Sequence, residues 1–191
     1  MASNIDCKNE SNMKENKSVN VIVKYLEKTN DKVYKRSTKK KVIILADQRG
    51  RGLRNEVQRL LGDKFEVECF LKPRAALGNI LDSIRSSIGN LTMHDFVIVL
   101  CGINDKNPDI FQINLHLWFC SVTNTNIVMC GIPNNTYLDE MKLNYVLKFI
   151  CTKYENVTFL DVSHNVFSVN IKSKIILARL ILKEILHLEY K

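Results

Sequence analysis

The side chains best suited to chemistry in this sequence stand just behind short apolar runs. Gln48, Asn104 and His164 each follow such a run within a few residues, and Asp47 and Asp105 stand beside the first two. An amide or an imidazole can stabilise negative charge or move a proton, and two carboxylates at neighbouring strand ends can hold Mg²⁺. Which of these happens depends on the elements that position the five residues.

Five apolar, β-branched runs alternate with five segments of helical period. The runs cover residues 42–45, 65–71, 96–101, 126–132 and 157–162, and the helical segments cover residues 53–61, 77–88, 110–122, 138–154 and 171–188. Strands separated by helices form right-handed βαβ units, so the pattern predicts an α/β fold, a three-layer α/β/α sandwich with a five-stranded parallel sheet. We expect the flavodoxin-like strand order 2-1-3-4-5, which opens a crevice at the carboxyl ends of strands 1 and 3.

The first 40 residues differ from the rest in composition. Residues 1–41 carry 11 Lys or Arg against 5 Asp or Glu, so most of the formal charge of +8 belongs there. This segment is rich in Asn, Ser and Lys, and we predict a basic, largely disordered leader over residues 1–40 before a domain at 41–191. The chain lacks a run of about 20 apolar residues and an apolar signal-peptide core, so we expect no membrane span and an intracellular location, in the cytoplasm or nucleus.

The sequence gives no sign of a cofactor or a metal centre. The six cysteines include no C-x-x-C pair, so we expect reduced thiols in the core. The chain has no Walker or G-x-G-x-x-G motif, and its other histidines, His94, His116 and His187, form no cluster with carboxylates. A magnesium site at Asp47 and Asp105 is the alternative that we weigh against a structural role, in which both acids accept hydrogen bonds from loop backbone.

Two motifs carry a family resemblance. Gly102-x-Asn104-Asp105 follows the third apolar run, and residues 46–53, A-D-Q-R-G-R-G-L, follow the first. At this spacing the sequence resembles the SGNH hydrolases, a family of serine esterases and lipases, over about residues 41–188. Within that family it looks like a degenerate member, a pseudo-hydrolase that resembles either the OSK-type domains or the esterase-type domains carried by some mobile elements.

The resemblance implies that the catalytic machinery is incomplete. Gln48 stands at the position of the nucleophilic serine, and a carboxamide cannot be activated by a general base. Arg74 stands where the family has an oxyanion-hole glycine, and Asn104 matches the oxyanion-hole asparagine. His164 follows Asp161 at the spacing of the family's acid and base, although alignment on the final helix would instead put residues 168–172 there. We therefore expect a catalytically inactive domain, the alternative being a divergent ester hydrolase that acts on a small acyl ester through water activated by His164.

Positive charge collects around the expected crevice. We expect RNA or another nucleic acid to bind there, or a protein partner, because guanidinium groups match phosphate oxygens. The expected binding residues are Arg49, Arg51, Arg54, Lys72 and Arg74 at the loops, with Lys39, Lys40 and Lys41 at the end of the leader. The alternative is that these side chains are solvated, or pair with Asp47, Glu56 and Asp105. A third function, assembly through the apolar residues 175–188 and 115–119, competes with simple core packing, which we favour.

Overall fold

The computed structural model of this chain describes residues 39–82, 84–132, 138–162 and 171–190. In these residues the strands are β1 (Lys40–Ala46), β2 (Phe65–Leu71), β3 (Phe96–Leu100), β4 (Asn126–Cys130) and β5 (Val157–Leu160). The helices are α1 (Leu53–Leu61), α2 (Leu77–Asp82), α3 (Arg85–Ile88), α4 (Pro108–Ser121), α5 (Leu138–Cys151) and α6 (Ile171–Glu189). The leader predicted for residues 1–40 falls almost wholly outside the described residues.

The five strands form one parallel sheet in the order β2-β1-β3-β4-β5. Strand β1 lies between β2 and β3, and Val42 pairs with Val67 of β2 on one side and with Phe96 of β3 on the other. Helices cover both faces of the sheet, so the predicted α/β class, the three layers and the strand order are confirmed. The order reverses direction between β1 and β3, which places the crevice at their carboxyl ends as expected.

Burial on both faces explains why β1 and β3 lack polar alternation. All five residues of β3 are buried, as are residues 42–46 of β1. Alternate strand side chains feed two separate cores. One core lies under α1 and α6, where Leu53, Val57 and Ile181 are buried. The other lies under α2, α3, α4 and α5, where Phe111 and Leu147 are fully buried.

Local sequence signals set the ends of the helices. Helix α1 lies between Gly52 and Gly62, both with positive φ, which glycine adopts without Cβ strain. Helix α4 begins two residues earlier than predicted, because the side chain of Asn107 caps the backbone N–H groups of Asp109 and Ile110 and Pro108 suits the first helical position.

The structure also corrects the predicted extents of several elements. The single helix expected over residues 77–88 is two short helices, α2 and α3, because Ile84 departs from helical φ and donates to Leu81 three residues back. Strands β3, β4 and β5 end one or two residues early. Three residues beyond these strand ends, Cys101, Ile132 and Val162, are buried although they do not pair with a neighbouring strand. Their apolar side chains made the predicted strands too long.

Two side chains of α1 form hydrogen bonds with the backbone of β2, an edge strand of the sheet. Gln58 accepts a hydrogen bond from the backbone N–H of Val67 at 3.0 Å and donates to the carbonyl of Phe65 at 3.0 Å. Arg54 donates through Nε to the carbonyl of Val67 at 2.8 Å. Edge groups satisfied in this way are less available for pairing with another strand. In the described part of the chain, no helix is both long and apolar enough to cross a bilayer.

Candidate functional site

Three loops meet at the carboxyl ends of β1, β2 and β3, and we refer to the space between them as the crevice. The backbone N–H of Asp47, after β1, donates to the carbonyl of Leu100 at the end of β3 at 3.1 Å. The backbone N–H of Lys72, after β2, donates to the carbonyl of Ala46 at 2.9 Å. The loops therefore extend the sheet by one hydrogen bond on either side of β1 before they diverge.

Asp47 anchors the floor of the crevice through a buried ion pair. Its side chain is fully buried and accepts the backbone N–H of Arg49 at 2.9 Å. The Arg49 guanidinium folds back onto the same carboxylate, with Nε at 2.8 Å from Oδ1 and Nη2 at 2.7 Å from Oδ2. Only 9% of the Arg49 side chain is exposed. The expectation that Arg49 binds phosphate at the rim is therefore corrected, because its charge is already engaged by Asp47 beneath the surface.

Two glycines allow the loops to approach this closely. A Cβ on Gly50 would lie 2.3 Å from the Cβ of Ala46, and a Cβ on Gly102 would lie 2.5 Å from Cδ1 of Ile132. Gly102 also has a φ of 112°, which side-chain-bearing residues rarely adopt. The glycine in the motif Gly102-x-Asn104-Asp105 is thus required both by backbone conformation and by space.

Gln48 reaches across the crevice and binds the loop after β2. Its Oε1 accepts the backbone N–H of Arg74 at 2.9 Å, although the two residues are 26 positions apart in the chain. Arg74 has a φ of 62°, in the left-handed region that favours glycine. This conformation fits the sequence-based correspondence of Arg74 with a glycine of the family. The amide oxygen of Gln48 therefore sits against the N–H group that the resemblance assigns to the oxyanion hole.

The third strand contributes two polar side chains that also bind loop backbone. Asn104 donates through Nδ2 to the carbonyl of Ala75 at 3.1 Å. Asp105 accepts the backbone N–H of Leu77 with both oxygens, at 3.2 and 3.0 Å, and so caps the start of α2. Since Asp47 also accepts loop backbone, the predicted structural role of both acids is confirmed. In the described residues no group of three or more His, Cys, Asp or Glu side chains is placed to hold a metal ion.

The electrostatics of Asp105 reflect its half-buried position. Burial raises the pKa of its carboxyl above the ordinary value, and the nearby Asp47 carboxylate raises the pKa further. The hydrogen bond from the Leu77 N–H acts in the opposite direction. Asp105 therefore caps α2 from a position where burial and the Asp47 carboxylate disfavour its ionised form.

Three thiols lie near the strand ends and are poor substitutes for a serine nucleophile. Burial raises the pKa of Cys101 well above its ordinary value, and raises that of Cys130 to about 12 and that of Cys69 to about 11. The Arg49 guanidinium opposes this effect at Cys101 and Cys130 but does not overcome it. Because the thiolate is the reactive form, these cysteines stay protonated and unreactive at neutral pH.

The remaining basic residues divide into two groups. Arg51, Lys72 and Arg74 are exposed at the crevice, with Lys72 donating to the carbonyl of Asn79 at 2.8 Å. Arg54 is exposed as well, but its Nε is engaged by the edge of β2. The other group is at the opposite end of the sheet. Lys40 and Lys41 open β1, away from the crevice, and the Lys40 ammonium pairs with Glu189, so nucleic-acid binding by the end of the leader stays a separate prediction.

The structure adds one cation that the sequence analysis missed. Lys174 lies in the first turn of α6, and its Nζ would be 3.4 Å from a Cβ placed on Gly52, beside Arg51. A lysine in the first turn of a helix opposes the helix dipole, so its place in the sequence could have marked Lys174 as a candidate binding residue. We name Arg51, Lys72, Arg74 and Lys174 the rim cations. His164, the expected base, and the neighbouring residues 163 and 165–170 lie outside the described residues.

Comparisons with known proteins agree on the fold. Neither a family profile nor a curated protein sequence matches the chain. Among solved structures, the C-terminal catalytic domain of the Streptococcus pneumoniae peptidoglycan O-acetyltransferase A, with a methylsulfonyl adduct, is similar with a TM-score of 0.63 and 12% identity. The match covers 81% of this chain and 96% of that domain. A structure from the same organism, provisionally described as a platelet activating factor, has a TM-score of 0.64 and 15% identity over 88% of this chain and 98% of that one. The fold is therefore SGNH hydrolase-like.

Proposed function

We propose that this chain is a catalytically inactive SGNH hydrolase-like domain that binds RNA through the rim of its crevice. The observation that supports inactivity most directly is the 2.9 Å hydrogen bond from the Arg74 N–H to Gln48 Oε1. A carboxamide oxygen in that place occupies the donor that an oxyanion would need, and it supplies no nucleophile in return. Asn104, the other donor of the set, is turned to the Ala75 carbonyl.

The subgroup assignment belongs to the same proposal. The resemblance implies that this chain shares the loss of the catalytic triad with the OSK-type domains, the other subgroup that it resembles being the esterase-type domains of mobile elements. One of the two structural neighbours is described as a catalytic domain. At 12–15% sequence identity, both neighbours support a statement about the fold alone. The proposed loss of activity therefore rests on Gln48, Arg74 and the buried thiols of this chain.

We expect the full chain to hydrolyse an activated ester no faster than buffer alone does. With p-nitrophenyl acetate, wild type, Gln48→Ala and His164→Ala should agree within about twofold, since an oxyanion donor alone without a nucleophile adds little to an activated ester. Release of p-nitrophenolate measures the rate. A wild-type rate well above buffer that falls in His164→Ala would establish the alternative, a divergent hydrolase using water, and would remove the claim of inactivity.

The binding part of the proposal rests on the rim cations. Arg51 and Arg74 are exposed, and among the described residues neither has an ion pair with a carboxylate. Exposed guanidinium groups without carboxylate partners are suited to phosphate oxygens, and Lys174 places a further charge beside Gly52, the residue that follows Arg51. The domain thus presents fixed positive charge where its catalytic relatives in the family present a nucleophile.

Single-stranded RNA is expected to bind the full chain in a salt-dependent way. Each phosphate contact contributes about 0.7 to the slope of log affinity against log salt, so Arg51→Glu/Arg74→Glu should lower the slope by about 1.4 and weaken binding at least about tenfold. Fluorescence anisotropy with a labelled oligonucleotide at several salt concentrations measures both quantities.

The matched control reverses two exposed cations at the far end of α1. Arg59→Glu/Lys64→Glu makes the same change in net charge, and both residues are exposed. This variant should keep the wild-type slope, because only general attraction is reduced. If both pairs of variants weaken binding equally, the rim is not the site. If wild type fails to bind RNA at low salt, the crevice is left to a protein partner.

A further inference from the structure

A small pocket opens between α2 and α4. It has a volume of about 80 Å³. Its lining residues are Gly78, Leu81 and Asp82 on α2 and Asn114, Leu117 and Trp118 on α4. The two helices approach closely at Gly78, where an added Cβ would lie 2.9 Å from Nδ2 of Asn114. Apolar walls with a few polar groups are the usual lining of a small-molecule site.

Two polar side chains in this pocket have no hydrogen-bond partner among the described residues. One is the indole N–H of Trp118, a residue that packs in the core and is only 6% exposed, although its nitrogen still reaches solvent. The other is the side-chain amide of Asn114. A largely buried tryptophan usually pairs its N–H, because an unmet donor costs free energy. A ligand in the pocket can supply the acceptor.

The polar groups of the pocket define what it can bind. The indole N–H is only a donor, and the Asn114 amide offers a donor through Nδ2 and an acceptor through Oδ1. Together they present two donors and one acceptor. The Asp82 carboxylate lines the same pocket and repels an anion. The pocket is therefore suited to a neutral ligand that has two acceptors and one donor along one edge.

The volume limits the ligand to a small ring. A closed cavity of about 150 Å³ holds one benzene ring. A pocket of about 80 Å³ therefore takes in only the edge of a single ring. The remainder of the ring lies at the mouth, where Leu117 is 66% exposed and offers an apolar contact.

Helix α2 connects this pocket to the rim cations. The Lys72 ammonium donates to the Asn79 carbonyl at 2.8 Å, and Asn79 follows Gly78 in the first turn of α2. The whole helix has six residues and is about 9 Å long. An ammonium has three donors, so Lys72 can bind a phosphate oxygen and keep its bond to Asn79. A nucleotide can thus place its phosphate at Lys72 while its base reaches the pocket.

We propose that the pocket takes the base of a pyrimidine nucleotide in a bound RNA strand, which refines the RNA binding proposed above and rests on it. The pairing edge of uracil carries O2 and O4 as acceptors and N3–H as donor, and that of cytosine carries O2 and N3 as acceptors and an amine as donor. Both edges match the two donors and one acceptor of Trp118 and Asn114. Adenine offers one acceptor and one donor, and guanine offers one acceptor and two donors, so a purine leaves a donor of the pocket unmet.

Fluorescence anisotropy of the full chain with labelled oligonucleotides tests the base preference. At one salt concentration, we expect oligouridine and oligocytidine to bind at least about fivefold tighter than oligoadenosine. Asn114→Leu removes one donor and the acceptor, so it should reduce that preference to less than about twofold. The dependence of the affinity on salt should not change in this variant, because no phosphate contact is lost.

Two glycine substitutions provide the matched control. Gly78→Ala adds a methyl group that presses on the Asn114 amide, and alanine suits a helix, so the pocket narrows while the fold is kept. Gly89→Ala makes the same change where, apart from the adjoining backbone, no atom lies within 4 Å. The preference for pyrimidines should be lost in Gly78→Ala and kept in Gly89→Ala, and circular dichroism checks that both are folded.

Three results of this comparison would overturn the inference and leave RNA binding by the rim as proposed. The first is equal binding of all three oligonucleotides by the wild type. The second is a pyrimidine preference that survives either Gly78→Ala or Asn114→Leu. The third is an equal loss of the preference in Gly78→Ala and Gly89→Ala.

The emission of Trp118 separates this inference from the proposed function. Trp118 is the single tryptophan of the chain, so a base beside it changes the only tryptophan fluorescence. Oligouridine and the 5′-monophosphates of uridine and cytidine should change this emission, and adenosine 5′-monophosphate should not. A response to the pyrimidine nucleotides without any binding of RNA would remove the proposed function and keep the pocket. Bound oligouridine that leaves the emission unchanged would place the base elsewhere and overturn the inference alone, and no response or binding at all would remove both.

Discussion

Asp47→Ala is expected to lower the free energy of unfolding by about 3–5 kcal/mol. The substitution leaves the Arg49 guanidinium, of which 9% is exposed, without the carboxylate that holds it through Nε and Nη2. An uncompensated buried charge is costly because neither water nor a counter-ion replaces the lost partner. The backbone N–H of Arg49 loses its acceptor as well. Urea denaturation followed by the fluorescence of Trp118, the single tryptophan, measures the change.

Glu56→Ala provides the matched control for this buried pair. Glu56 binds Arg59 at 3.0 Å, a distance close to that of the buried pair, but the Arg59 side chain is 60% exposed. Its loss should cost less than about 1 kcal/mol, since water screens the exposed charges. The double variant Asp47→Ala/Arg49→Leu should be more stable than Asp47→Ala alone, because no charge is left buried. Equal effects of Asp47→Ala and Glu56→Ala would contradict the burial of Arg49.

Gly102→Ala is expected to destabilise the fold by about 3 kcal/mol or more. Its φ of 112° is a conformation that side chains rarely adopt, and the added Cβ would approach Ile132 Cδ1 to 2.5 Å. Backbone strain of about 1–2 kcal/mol and overpacking of about 1–3 kcal/mol act together. Because Gly102 opens the loop that carries Asn104 and Asp105, the variant should also disturb the capping of α2. Urea denaturation again gives the magnitude.

Gly62→Ala separates the two contributions. Gly62 has a φ of 68°, yet apart from the adjoining backbone no atom lies within 4 Å of the position that its Cβ would take. Its replacement should cost only the backbone strain, about 1–2 kcal/mol. The difference between the two variants then measures the overlap with Ile132. If Gly62→Ala destabilises as much as Gly102→Ala, crowding in the crevice floor is not the reason for glycine at residue 102.

The crevice combines the loop arrangement typical of this fold with polar side chains that bind neighbouring loops. Parallel strands still deliver three loops to one end of the sheet, which is how the fold presents its reactive groups. Here the groups at those loop positions bind one another: Gln48 binds the Arg74 N–H, Asn104 binds the Ala75 carbonyl and Asp105 binds the Leu77 N–H. The loops are thereby held together, and three of the rim cations, Arg51, Lys72 and Arg74, are exposed to solvent.

The sequence alone determined the α/β class, the strand order and the location of the crevice. These follow from local patterns, because apolar runs without alternation indicate strands covered on both faces and helical periods between them require crossovers. The structural roles of Asp47 and Asp105 were also predictable, since an acid just after a strand commonly accepts loop N–H groups. The motif Gly102-x-Asn104-Asp105 was recognisable from three residues and their place behind an apolar run.

Only the tertiary structure decided where the longer side chains of the crevice point. Arg49 and Arg51 are two positions apart and look alike in sequence, yet one turns inward to Asp47 and the other outward, as the path of the loop dictates. Gln48 finds its partner 26 residues away, and Lys174 reaches Gly52 from the far end of the chain. Likewise, an apolar helix such as α4 does not reveal from its sequence which apolar residues face the sheet. The physical reason is that periodicity reports local backbone geometry, whereas these contacts depend on which distant elements the folded sheet brings together.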